Sequence, residues 1–258
     1  MSASSLLSQL ADTAAEPRFA AAIAVATLAG LVRGFSGFGS ALIYMPLISA
    51  IYGPRLAAPT LLLIDSICAL PFALRAMPNC NKREVVPVSI AGAIALPLGA
   101  LALLLVDAQI LRWVIAVLVL IALATLAGGW RYQGRPTLAA SLGVGTLAGL
   151  GAGAVQIGVP PLLVFWLGGK NNAFTVRANI MVYFISQEAI SYVVYYVGGL
   201  FTVQSLTLAP LLGLPFLAAL ALGAFWFHGA SEALYRRIAY LVIALAVLVS
   251  LPIFDGLH

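Results

Sequence analysis

The chain has 258 residues, 63% of them hydrophobic and 8% charged, with a mean hydropathy of +1.08. A soluble domain carries about 25% charged residues, and 13 Lys+Arg with 8 Asp+Glu are too few to keep a globule of this size in water. A membrane helix takes roughly 20 residues, so a bundle of eight to ten segments uses nearly the whole chain and leaves no room for a soluble catalytic domain. The net charge of +5 is not a nucleic-acid signature, because the basic residues fall between apolar runs.

The first residues, MSASSLLSQLADTAAEPRF, lack the basic start and continuous apolar core of a signal peptide. They are expected to form a short interfacial leader over 1–17. Apolar runs then follow at 19–32, 38–52, 56–74, 85–106, 110–130, 138–150, 159–167, 176–197, 206–227 and 238–254. Runs near 20 residues predict membrane helices. The first, second, sixth and seventh are too short to cross comfortably. They come in pairs, each split by a glycine-rich break: GLVRGFSGFGS at 30–40 and GLGAGAVQIGVPP at 149–161. Glycine has high backbone entropy and proline lacks a donor N–H, so both stretches interrupt a helix.

The breaks resemble each other. LAGL occurs at 28–31 and again at 147–150, an offset of 119 residues that also lays Gly34 on Gly153 and Gly39 on Gly158. Three long runs follow each break. The expected fold class is therefore an all-α polytopic membrane protein of two repeats, 18–136 and 137–258, each with about five helical segments and broken or re-entrant short helices. Basic residues set the orientation. Arg75, Lys82, Arg83, Arg131, Arg135, Lys170, Arg177, Arg236 and Arg237 fall on one side, and Arg18, Arg55 and Arg112 on the other. The first side is read as cytoplasmic and both termini as external. Five reversals per half make the repeats inverted. Paired interrupted segments in inverted halves point to a transporter's binding site, and half-helix N-termini directed inward suit an anion.

Arg33 lies inside the first break, where a charge costs about 2.5–3.5 kcal/mol near the bilayer centre. It reads either as a snorkelling side chain or as a bidentate partner for an anionic head group. Ser36 and the backbone around Gly34, Gly37 and Gly39 could complete that cradle. In the second break Gln156 is either a ligand or a partner for loose backbone carbonyls, Gly158 permits close approach, and Pro160 opens the next half-helix. In VRANIMVYF, Arg177 reads as interfacial or as substrate-binding, and Asn179 is expected to face the bundle. Asp65 and Glu188, near the middle of corresponding helices, are candidates for proton coupling or for a structural pairing such as Asp65 with Arg33. Tyr183, Tyr192, Tyr195 and Tyr196 read as packing and interface anchors. Cys68 and Cys80 have no disulfide or metal spacing. With His228 and His258 as the two histidines, no metal site, phosphate loop or nucleophile elbow is expected. The chain reads as no enzyme, without cofactor.

GLVRGFSGFGSALIYMPLI, GAGAVQIGVPPLLVFWL and VRANIMVYF together resemble the TauE/SafE family, also described as toluene sulfonate uptake permeases. The resemblance runs from about Phe19 onward. It implies movement of sulfite, sulfonates or related small organic anions across the bacterial inner membrane. The function expected is secondary-active transport by alternating access, with an anion channel on the same breaks as the alternative. Expected partners are the small anion, the bilayer, a coupling proton or ion, and a second copy of the chain.

Overall fold

The structure is a computed structural model that describes residues 16–36, 39–129, 132, 137–167, 172–226 and 232–254. The leader expected over 1–17 lies mostly outside the described residues. Ten α-helices follow among the described residues: α1 (Pro17–Ser36), α2 (Ser40–Tyr52), α3 (Pro54–Ala76), α4 (Lys82–Leu105), α5 (Ala108–Ala127), α6 (Leu138–Val155), α7 (Val159–Leu167), α8 (Ala173–Val197), α9 (Val203–Trp226) and α10 (Glu232–Ser250). Each apolar run supplies one helix.

The starts are marked chemically. Asp107 accepts N–H groups of Gln109 and Ile110 at the head of α5. Thr137 does the same for α6 and Asn172 for α8. Such caps satisfy backbone donors that a helix leaves open. Gly53, at φ 87°, turns the chain between α2 and α3, and Pro54 occupies the first position of α3, where its missing N–H does no harm.

Six helices are long and apolar enough to cross a membrane, and the bent α3 makes a seventh if its two pieces count as one span. Two of the six correct the sequence expectation. The first and sixth runs are longer than expected, because helix continues through Gly34 to Ser36 and through Gly151–Gly153 to Val155. Glycine is a weak helix former on entropic grounds. Here it stays helical because a neighbouring backbone packs against its bare Cα. Among the described residues the interruptions shrink to Gly39 and to 156–158.

Helix α4 shows why the chain needs a bilayer. Ile90, Ile94, Leu98, Leu101 and Leu105 form one exposed apolar face, while Gly92, Leu96, Gly99 and Leu103 are buried on the other. A helix apolar all round belongs in a core or a membrane.

The described chain falls into two compact units that cut across the sequence halves. One comprises 1–64 with 200–258, the other 65–199. In the first unit α1 packs on α9, and in the second α4 packs on α6. In both, the packing is backbone on backbone. A Cβ at Gly30 or Gly34 would run into the main chain of Phe216 or Leu220, and one at Gly223 into the carbonyl of Leu31. In the other unit, Gly149 and Gly153 meet the main chain of Gly92 and Leu96, and Gly99 meets the carbonyl of Leu150. These are small-residue interfaces of the kind that let membrane helices approach closely.

Two substitutions in α6 separate packing from propensity. Gly153→Ala places a methyl against the Leu96 carbonyl, whereas Gly143 has nothing within 4 Å of its added Cβ. Gly143→Ala is expected to be neutral or to stabilise by about 0.5–1 kcal/mol, since Ala is the better helix former. Gly153→Ala is expected to lower the melting temperature of the detergent-solubilised protein by several degrees. Equal melting of the two variants would contradict the backbone-contact account.

Candidate functional site: two interrupted helix pairs and a polar face on α8

At the first interruption α1 gives way to α2. Gly39 adopts a left-handed conformation (φ 98°) and, having no side chain, gives α2 no side-chain cap of its own. Arg33 sits in the last turn of α1, buried to 9% exposure and engaged by neighbours. A cation there also complements the negative end of the helix dipole. Gly34 serves the α1–α9 contact instead of opening toward a ligand. The side chain of Ser36, and Gly37 altogether, lie outside the described residues.

The second interruption is built differently. Gln156 ends α6 in a left-handed conformation (φ 56°), costly for a residue with a Cβ. Its Nε2 donates to the Tyr195 hydroxyl at 3.1 Å, and that hydroxyl donates to the Gly153 carbonyl at 2.8 Å. The side chain therefore reaches a loose carbonyl through Tyr195. The backbone N–H groups of Gln156 and Ile157 go to the carbonyls of Ala152 and Gly151, at 3.0 and 3.1 Å. Gly158 packs against the Ala148 carbonyl. Pro160 and Pro161 then open α7 without donors. The backbone donors of Gln156 and Ile157 thus bond back into α6, while the Gln156 side chain turns to α8.

Helix α8 carries most of the buried polarity. Arg177 is exposed. Asn179, at 0% exposure, accepts the Asn81 N–H on its Oδ1 at 2.8 Å and so ties the start of α4 to α8. Every fourth residue from there is buried and polar: Asn179, Tyr183, Gln187, Ser191 and Tyr195. Gln187 donates through Nε2 to the Ser89 carbonyl at 3.1 Å and to Ser186 Oγ at 3.2 Å. Sequence reading missed Gln187 and assigned Tyr183 and Tyr195 to packing. The signal was present as the four-residue spacing N-x3-Y-x3-Q-x3-S-x3-Y, a stripe that winds slowly around the helix.

The two carboxylates sit near this helix. Asp65 and Glu188 are 8% and 6% exposed, and both are engaged. Tyr192, one turn after Glu188, hydrogen-bonds Ser66, the neighbour of Asp65. Among the described residues no group of three His, Cys, Asp or Glu could hold a metal ion.

Apolar helices throughout and polar side chains turned inward define a polytopic membrane protein. The sequence profile described as Sulfite exporter TauE/SafE matches residues 22–250, and the chain belongs to that family. It is a multi-pass inner-membrane protein of the sulfite-exporter type. No curated protein and no solved structure matches it significantly.

The left-handed turn at Gln156 can be tested by two replacements. Gln156→Gly loses the bond to Tyr195 but relieves the backbone. Gln156→Ala loses the bond and keeps the strain, about 1–2 kcal/mol for a left-handed residue with a Cβ. The alanine variant is therefore expected to melt below the glycine variant. Equal melting temperatures would mean that the turn is not retained.

Proposed function

We propose that the protein is a secondary-active transporter of a small sulfur-containing or organic oxyanion, working by alternating access. The family match over residues 22–250 carries this reading. Further support comes from the matched glycine contacts. Gly30 and Gly34 in α1 and their counterparts Gly149 and Gly153 in α6 differ by 119 positions. Their partners Phe216 and Leu220, against Gly92 and Leu96, differ by 124. The pair Gly223–Leu31 corresponds to Gly99–Leu150 by the same two offsets. This regularity favours two repeats whose first and fourth helices pair with each other's. Inversion of the repeats, with cytoplasmic loops around 75–84 and 130–136, remains the layout favoured by the distribution of basic residues.

In this reading Arg33 supplies charge to the anion at the first break, with backbone N–H groups near Gly39 beside it. Asp65 and Glu188 are the candidates for coupling to a proton. Gln156, Gly158 and Pro160 shape the second break, and Asn179 holds α8 to the start of α4. Arg177 is assigned to the interface. A second copy of the chain as partner is part of the same proposal.

Proteoliposome flux of sulfite and of simple sulfonates tests the reading. Saturable uptake that proceeds against an anion gradient when a pH gradient is imposed is the expected result. Unsaturable flux down the gradient alone would replace the transporter with a channel. Arg33→Gln is expected to weaken anion binding roughly 10- to 150-fold, the range for hydrogen bonds to charged groups, and Arg33→Lys to weaken it markedly. A silent Arg33→Lys would remove that side chain from the site. Glu188→Gln or Asp65→Asn is expected to abolish pH-driven accumulation while preserving anion exchange. Unchanged coupling in both variants would take the carboxylates out of the mechanism.

A further inference from the structure

Among the described residues of the unit spanning 65–199, four polar atoms of neutral side chains are buried without a hydrogen-bond partner: Trp166 Nε1, Asn179 Nδ2, Tyr183 OH and Gln187 Oε1. Their residues are 1%, 0%, 0% and 2% exposed. An orphan of this kind costs about 1–3 kcal/mol, and hydrocarbon offers no substitute partner. Three of the four lie on the one face of α8, about 6 Å apart along the axis.

The chemistry of each atom is fixed by its other end. Gln187 Nε2 points at the Ser89 carbonyl, which can only accept, so the free atom is the acceptor Oε1. Asn179 Oδ1 takes the Asn81 N–H, which can only donate, so its free atom is a donor. Tyr183 OH and Gln187 Oε1 converge above Gly92. A Cβ there would stand 2.7 Å from the hydroxyl and 3.0 Å from the amide oxygen. The Trp166 ring meets Tyr183 edge-on, with centroids 6.5 Å apart and planes at 74°.

We propose that Tyr183, Gln187 and Trp166 above Gly92 form a binding site for an oxyanion that carries a proton donor of its own. Tyr183 O–H and Trp166 N–H donate to the anionic oxygens. Gln187 Oε1 accepts from the ligand's O–H or N–H. Hydrogensulfite and hydroxy- or aminoalkanesulfonates have this combination, and simple alkanesulfonates lack the donor. Recognition here uses neutral dipoles. The proposal rests on the transporter reading and names the ligand class that reading leaves open.

The test is calorimetric binding to the purified full-length protein in lipid nanodiscs. Isethionate and ethanesulfonate differ by one hydroxyl, and hydrogensulfite in weakly acidic buffer tests the inorganic ligand. Wild type is expected to bind isethionate or hydrogensulfite at least about 10-fold more tightly than ethanesulfonate, as one hydrogen bond involving an ion allows. The identity of the tighter ligand separates an organic from an inorganic substrate. Tyr183→Phe keeps the ring and is expected to weaken that ligand roughly 10-fold or more, with a melting temperature of the ligand-free protein that is not lowered. Gly92→Ala, which fills the point between the two polar atoms, is expected to weaken it as well. Equal binding of isethionate, hydrogensulfite and ethanesulfonate, or wild-type affinity in Tyr183→Phe, overturns the site. If wild type still transports sulfonates in that case, the transporter reading stands. If wild type neither binds nor moves any of these anions, both fall.

Discussion

Direct contact between helix backbones is the constraint on which this structure depends. Lipid tails are as apolar as leucine, so burying one apolar side chain against another gains little inside a bilayer. Close approach recovers stability through dispersion and complementary packing, and only a bare Cα permits it. Gly30 and Gly34 supply that surface to α9, and Gly149 and Gly153 supply it to α4. The same glycines were read in the sequence as places where helices break. In the structure they are where helices touch, and the breaks lie a few residues further on.

The ten helices were legible because apolar runs in a membrane chain are bounded by the few polar residues available. Their lengths were less legible. A run ends in the sequence where glycine begins, whereas a helix ends where its backbone hydrogen bonds are diverted, as at Gln156 and Ile157. The glycines of α1 and α6 could be matched at a fixed offset, but their partners could not. Phe216 and Leu220 on one side, and Gly92 and Leu96 on the other, offer main-chain atoms to the glycines, and main-chain atoms leave no residue signature. That is why the composition of the two compact units, each drawing helices from both halves, was not visible beforehand.

The candidate site shows a related limit. Arg33, Asp65 and Glu188 stood out because charge is expensive in a membrane, and all three are buried. Neutral polar residues carry a smaller penalty and attract less attention. Yet Asn179, Gln187 and Tyr195 hold α8 to the start of α4, the middle of α4 and the end of α6 through single hydrogen bonds. Bonds of this size, about 0.5–1.5 kcal/mol net, are strong enough to fix a helix register and weak enough to be exchanged during a transport cycle. A helix tied by several such bonds can shift without first breaking one large interaction.

The two halves share a spacing of buried positions and differ in their chemistry. Counting from Arg55 in α3 and from Arg177 in α8, the buried positions recur at the same steps. In α3 they are Ala57, Leu61, Asp65, Ala69 and Ala73, and in α8 they are Asn179, Tyr183, Gln187, Ser191 and Tyr195. One stripe is apolar except for a carboxylate at its centre, and the other is polar along its length. The interruptions diverge in the opposite sense. The first has an arginine nearby and a glycine at the helix start, while the second returns the backbone donors of Gln156 and Ile157 to α6 and opens on two prolines. Formal charge thus accompanies the break of the first half, and neutral hydrogen bonding accompanies the long helix of the second.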